Sequence, residues 1–214
     1  MAETSKSFIK KFIGFSLVPW ITFAMSFISA PISTRLFTPE VLGKINIFST
    51  YSNLIGLFIL LGLDQAFARF YLERPNNRSK GYLFTFCFSI TYALIFVFCV
   101  LSAPFSLFLS DALFDETDIL LYVLMFVSVF CSATLRYLNL TYRMEQDIKM
   151  YTIQGVLMAF ISRVLHILVG FWDPSYRPAL IVGCTSHLIL ALIFLWIQRH
   201  RFERVKEYDS YFTK

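Results

Sequence analysis

The sequence predicts an all-α integral membrane protein, a bundle of six transmembrane helices. Three observations predict it. The chain of 214 residues is 57% apolar and only 15% charged, whereas a soluble domain carries about 25% charge. Its apolar residues fall into six stretches, at residues 12–34, 45–67, 81–103, 118–137, 150–172 and 178–198. Each is long enough to cross roughly 30 Å of hydrocarbon as a helix. Its basic residues then alternate from side to side. With the N-terminus in the cytoplasm, fifteen of the nineteen Lys and Arg fall inside: Lys6 to Lys11, Arg69 to Lys80, Arg136 to Lys149, and the tail from Arg199. The outer loops hold only Arg35, Lys44 and Arg177, and Arg163 lies within a span. That asymmetry is the positive-inside rule, and it places both termini in the cytoplasm.

The formal charge of +5 therefore points to anionic headgroups as partners, not to nucleic acid. Cys87, Cys99, Cys131 and Cys184 all lie in or beside apolar spans. Without metal-ligand spacing they read as small packing residues, not disulfides. The basic start resembles a signal peptide, but the apolar run after it is too long and Pro31 follows Ala30, so the first span is expected to stay uncleaved.

Each span has its own signals. Span one carries Pro19, which frees the Phe15 carbonyl and marks a static kink or the bend of a gate helix. Before span two, Thr38-Pro39-Glu40 supplies an N-cap, a first-turn proline and an acid at the positive end of the dipole. Helix two is therefore expected to start ahead of its apolar core. Span three is followed by Pro104, which should end or break it and leave Phe105–Leu109 in the outer interface. An acidic outer loop is expected over Asp111–Asp118, its carboxylates favouring the start of helix four. Arg136–Lys149 reads as a cytoplasmic connection and Asp173–Arg177 as an outer turn. Trp172 and Trp196 fall near opposite interfaces. Residues 199–214 form a basic cytoplasmic tail or linker.

Polar groups within the spans are the candidates for function. Arg163 lies near the bilayer middle, where a charge is costly and normally faces protein or water. It either lines a central cavity and holds an anionic group such as a phosphate, or bonds backbone carbonyls or a polar neighbour. A cavity with a basic lining is the expectation set for it. His166 shares its helical face, and His187 lies at a similar depth on the next helix. They pack as neutral imidazoles, or couple to protons if they share a wet cavity. Asp64 and Arg69 mark the cytoplasmic boundary, as local charges or as an inner gate. Asp115-Glu116-Thr117-Asp118 has a carboxylate pair that helix capping explains with less than a metal would need. No phosphate-cradling glycine loop, His-Glu-x-x-His or serine elbow occurs in the sequence, so neither an enzyme nor a cofactor is expected.

The exit of helix one reads Ser33-Thr-Arg-Leu-Phe-Thr-Pro-Glu-Val-Leu-Gly-Lys44, and Gly62-Leu-Asp-Gln-Ala-Phe-Ala-Arg-Phe-Tyr-Leu-Glu73 closes helix two. These segments, with Arg143–Thr152, resemble the N-terminal part of polysaccharide-biosynthesis membrane proteins, the O-antigen-type lipid-linked oligosaccharide flippases. These belong to the multidrug/oligosaccharidyl-lipid/polysaccharide flippase superfamily. The resemblance implies that the six-helix bundle is one lobe of a two-lobe flippase in a bacterial inner membrane. Such a protein turns an undecaprenyl-pyrophosphate-linked sugar unit from the inner to the outer leaflet by alternating access. The motif-matched residues are Arg35, Pro39, Glu40, Gly43, Gly62, Asp64 and Arg69. By position, Arg163 is the candidate for the pyrophosphate and Arg35 for the outer mouth.

Alternating access needs two bodies. The expectation is that the chain is the N-terminal part of a longer protein, or pairs with a second copy. Its partners are then membrane lipids, a lipid-linked oligosaccharide and the missing C-terminal lobe. The alternatives are a lobe of a drug or ion antiporter, an integral membrane enzyme acting on prenyl phosphates, and a membrane scaffold.

Overall fold

A computed structural model describes residues 2–73, 80–114 and 116–199. The segments 74–79 and 200–214, which include most of the polar loop after α3 and nearly all of the basic tail, lie outside the described residues, as does Asp115. The described residues form helices only: α1 (Ala2–Leu36), α2 (Pro39–Leu60), α3 (Leu63–Glu73), α4 (Lys80–Ser102), a 3-10 turn (Ala103–Phe105), α5 (Ser106–Phe114), α6 (Ile119–Met144), α7 (Ile148–Trp172) and α8 (Tyr176–Gln198). Among the described residues, five stretches are long and apolar enough to cross a membrane, and six if the bent pair α2–α3 counts as one span. The chain is a multi-pass, all-α membrane protein.

The local signals act where the sequence puts them. Thr38 caps α2, its side chain accepting from the Val41 N–H, with Pro39 in the first turn. Asp118 caps α6 through the Leu120 N–H and Asp147 caps α7 through the Met150 N–H. Pro104 breaks α4 from α5 through the 3-10 turn. Helix α1 runs unbroken through both Pro19 and Pro31.

Several boundaries differ from expectation. Span two is not one helix over 45–67. It stops at Leu60, where Leu61 (φ 44°) and Gly62 (φ 81°) turn left-handed, and α3 leaves at 52° to α2. Two consecutive residues in that region turn the chain off the helix axis, and the Leu61 N–H makes the closing bond, to the Leu57 carbonyl. The Asp111–Asp118 loop is shorter than expected, since Asp111 to Phe114 belong to α5. Likewise α6 does not end at 137 but runs to Met144, leaving only 145–147 as connection. Its extra turns bury Leu138, Thr141 and Tyr142, and that packing holds the helix together past the apolar run.

Helix α6 is the hub, packing on α2, α3, α4, α5, α7 and α8. Its middle reads Cys131-Ser-Ala-Thr134, small residues that let neighbouring backbones approach. Along its length, hydroxyl pairs tie it antiparallel to α4. Tyr122 donates to the Cys99 carbonyl (2.7 Å) and meets Ser102 (2.8 Å), Thr134 meets Tyr92, and Tyr137 meets Thr91 (2.8 Å). Two buried glutamines reach α6 from the other side: the Gln154 amide donates to the Leu135 carbonyl (3.0 Å) and Gln198 to that of Leu138 (3.5 Å).

Helix α1 packs along α7, and the two run parallel. Phe15 meets Tyr151, Val18 meets Gly155, Ser26 meets Arg163 and Phe37 meets Gly170. Much of the α1 surface that faces away from α7 is apolar and exposed, including Trp20, Phe23 and Phe27. Trp172 at the end of α7 is 93% exposed. Trp196, at the far end of α8, carries the Arg199 guanidinium over its ring at 5.0 Å. Both suit interfacial anchors.

Candidate functional site

Charged side chains gather at three levels of the bundle. One end is held by Glu116, in the short link between α5 and α6. Its carboxylate accepts from Lys44 of α2 (3.1 Å), from Arg177 of α8 (2.8 Å) and from the Tyr176 hydroxyl. Arg177 also pairs with Asp118 (3.2 Å), and Lys44 lies over the Tyr176 ring at 4.9 Å. Hydrogen bonds from Tyr176, Lys44 and Arg177, in that order of effect, hold the Glu116 carboxyl down to about 2. The cluster is a clasp for the ends of α2, α6 and α8. Two of the three basic residues assigned to the outer loops are thereby neutralised. The third, Arg35, is exposed in the last turn of α1, where a cation suits the helix dipole.

The opposite end holds Asp64, in the first turn of α3. Its carboxylate is buried and accepts from Arg136 of α6 at 2.5 Å. Tyr71, two turns further along α3, donates to Glu145 at 2.8 Å. Arg69 is exposed on the same helix. Asp64 is therefore neither solvated nor paired locally: its partner is 72 residues away in sequence.

Between the two ends lies Arg163. It is fifteen residues from the start of α7 and nine from its end, roughly 22 Å and 14 Å at 1.5 Å per residue. Its guanidinium donates to the Ser26 hydroxyl of α1 at 2.9 Å. Ser26 donates its own proton to the Thr22 carbonyl (2.8 Å), which leaves its lone pairs for the guanidinium. A guanidinium has five N–H donors. Among the described residues Ser26 is the hydrogen-bond partner of Arg163, and no carboxylate pairs with it. The side chain is exposed on the bundle surface.

His166, one turn on, packs its ring against Phe37 with centroids 4.8 Å apart. It belongs to the seam where α1 exits. His187 on α8 is partly buried, and no hydrogen bond joins it to Arg163 or His166 among the described residues. The structure thus brings Arg163 and His166 to one seam. Pro19 is exposed on α1, on the same helix as Ser26. Gly43 and Gly62 have open space where a Cβ would project, and Gly62 alone of the two has a left-handed φ.

The glycines that build the seam are others. A Cβ on Gly14 would lie 2.4 Å from Ile148 Cγ2, one on Gly155 2.4 Å from Val18 Cγ1, and one on Gly170 2.9 Å from the Phe37 ring. These are close-approach positions, and they bring the α1 and α7 backbones near enough for Arg163 to reach Ser26. The sequence does not announce these pairs, because they form between helices far apart in the chain. It does not announce the role of Glu116 for a similar reason, since the carboxylate run reads as a cap and Asp118 alone supplies that.

No curated protein and no solved structure matches this chain. A family model described as "polysaccharide biosynthesis protein" matches residues 32–209, which takes in α2 to α8 with Arg163, and only the end of α1. The chain belongs to this polysaccharide biosynthesis protein family.

Proposed function

We propose that this chain is one lobe of a flippase. It moves an undecaprenyl-pyrophosphate-linked oligosaccharide from the inner to the outer leaflet of a bacterial inner membrane, by alternating access and without covalent chemistry. Both termini are cytoplasmic, so the Asp64 end faces the cytoplasm and the Glu116 end faces out. The observation that carries the reading is Arg163, a cation at mid-membrane depth, exposed and without a carboxylate partner among the described residues. Facing acyl chains, such a charge is expensive; facing a polar path with an anionic cargo, it is useful. A phosphate offers the guanidinium the acceptor oxygens that Ser26 does not supply. The family membership supports a polysaccharide precursor as that cargo. The α1–α7 seam then lines the path, and a second bundle, in the same protein or a second copy, faces it.

The test is made in the source cell. Deleting the gene should strand the lipid-linked oligosaccharide on the cytoplasmic leaflet. Spheroplasts would then show it protected from an added, membrane-impermeant glycosidase, and restoring the gene should return it to the outer leaflet. Unchanged exposure in the deleted strain rules the reading out.

A further inference from the structure

We propose that α3 is a latch, swinging about the Leu61–Gly62 joint and held against the last turns of α6 by the Asp64–Arg136 ion pair. The inference stands whatever the lobe carries.

The joint has the form of a hinge. Leu61 and Gly62 are both left-handed, and the helix axis turns 52° across them. A Cβ at Gly62 would meet nothing within 4 Å, so side-chain packing does not brace that residue. At the joint itself the exit angle is set by backbone torsion and by the Gly62 carbonyl, which receives the Gln65 and Ala66 N–H groups at 3.0 Å each; beyond it α3 packs on α4 and α6. The arm beyond the joint is 11 residues long. Helices that short are marginal alone, so α3 depends on the surface it rests upon.

That surface is gripped at two points on one face. Asp64 binds Arg136, and Tyr71, seven residues later, binds Glu145; seven residues are two turns, which returns to the same face. Between them Phe67 is fully buried, edge-on to Tyr137 at 5.6 Å and to Phe84 at 6.1 Å. The first grip is lopsided. The Asp64 side chain is 10% exposed and that of Arg136 is 45% exposed. The guanidinium can be reached from outside the bundle while the carboxylate cannot. Anything that draws Arg136 away leaves a buried carboxylate without its partner, which is strongly disfavoured. Asp64 is two residues from Gly62, so the joint offers it the shortest route out. Release of this pair therefore lifts α3 and uncovers Phe67 and Tyr71.

Hydrogen exchange measured by mass spectrometry on the full chain in lipid nanodiscs tests this, comparing wild type with Asp64→Ala and with Tyr71→Phe. The expected result is a rise of about tenfold or more in amide exchange over 63–72, with α2 and residues 119–135 of α6 unchanged. Either variant loosening α3 alone supports the latch. Exchange over 63–72 that is unchanged in both variants, or that rises equally in α2 and α6, overturns it. If Asp64→Ala fails to fold, Tyr71→Phe keeps the ring packing and decides by the same criterion.

Discussion

Gly155 of α7 lies so close to Val18 of α1 that a Cβ added there would stand 2.4 Å from Val18 Cγ1. The parallel seam is therefore closed by the absence of a side chain. Gly155→Ala should force the helices apart and lower stability by about 1–3 kcal/mol, the usual cost of overpacking. Gly56→Ala and Gly183→Ala, where a Cβ meets nothing within 4 Å, should be neutral or slightly stabilising because alanine favours the helix. Thermal unfolding of the three variants in one detergent checks the contrast. An equal loss in all three would remove the seam from the explanation.

Arg163 serves the cargo, not the fold, in the proposed reading. Arg163→Ala should leave the melting temperature nearly unchanged, because the side chain is exposed and its bond among the described residues goes to the Ser26 hydroxyl. Transport in the spheroplast assay should fall by about tenfold or more, the loss expected for one charge-assisted contact. Arg163→Lys should lie between, keeping the charge but losing the fork.

The Glu116 clasp makes stability depend on acid. Its carboxyl lies at about 2 in the folded chain against an ordinary 4.5. In that interval the unfolded chain binds the proton more readily, so stability rises with pH. The contribution is complete above about 4.5 and fades as the pH falls toward about 2. Glu116→Gln should be less stable than wild type near neutrality, and the gap should close through this window. Unfolding midpoints across that range give the answer; a gap independent of pH would show that packing, not charge, joins Glu116 to its partners.

Gly62 holds its φ of 81° in open space. Gly62→Ala therefore pays only the backbone cost of a left-handed non-glycine residue, about 1–2 kcal/mol. The loss should appear as a lower melting temperature with no change at the Glu116 end. Glu116 amide exchange, measured in parallel, separates a local strain from general loosening.

The all-helical membrane bundle and the caps at Thr38 and Asp118 were legible because they rest on composition and on neighbours within one turn. Pro104 broke its helix for the same local reason. The break after Leu60 was harder to see, since Leu61 is apolar like the residues before it and one glycine in a long apolar run marks no boundary by itself. The length of α6 was hidden too. Tyr137, Leu138 and Tyr142 are buried by contacts with distant helices, and no periodicity within 137–144 announces those partners. Arg163 stood out by its cost in the membrane, but Ser26 did not, being 137 residues away in sequence and one hydroxyl among several. Asp64 was visible as a charge and Arg136 as a loop residue; only the fold made them a pair.

The pairing of α1 with α7 also bears on how the protein is made. Helix α1 has its principal neighbour, α7, more than a hundred residues downstream. At roughly 5–20 residues per second, the stretch from Ser26 to Arg163 takes about 7–27 s to synthesise. For that time α1 waits in the bilayer with its packing face bare to lipid. Helix α1 then docks only once α7 is in place, and the close-approach glycines of the seam govern that step.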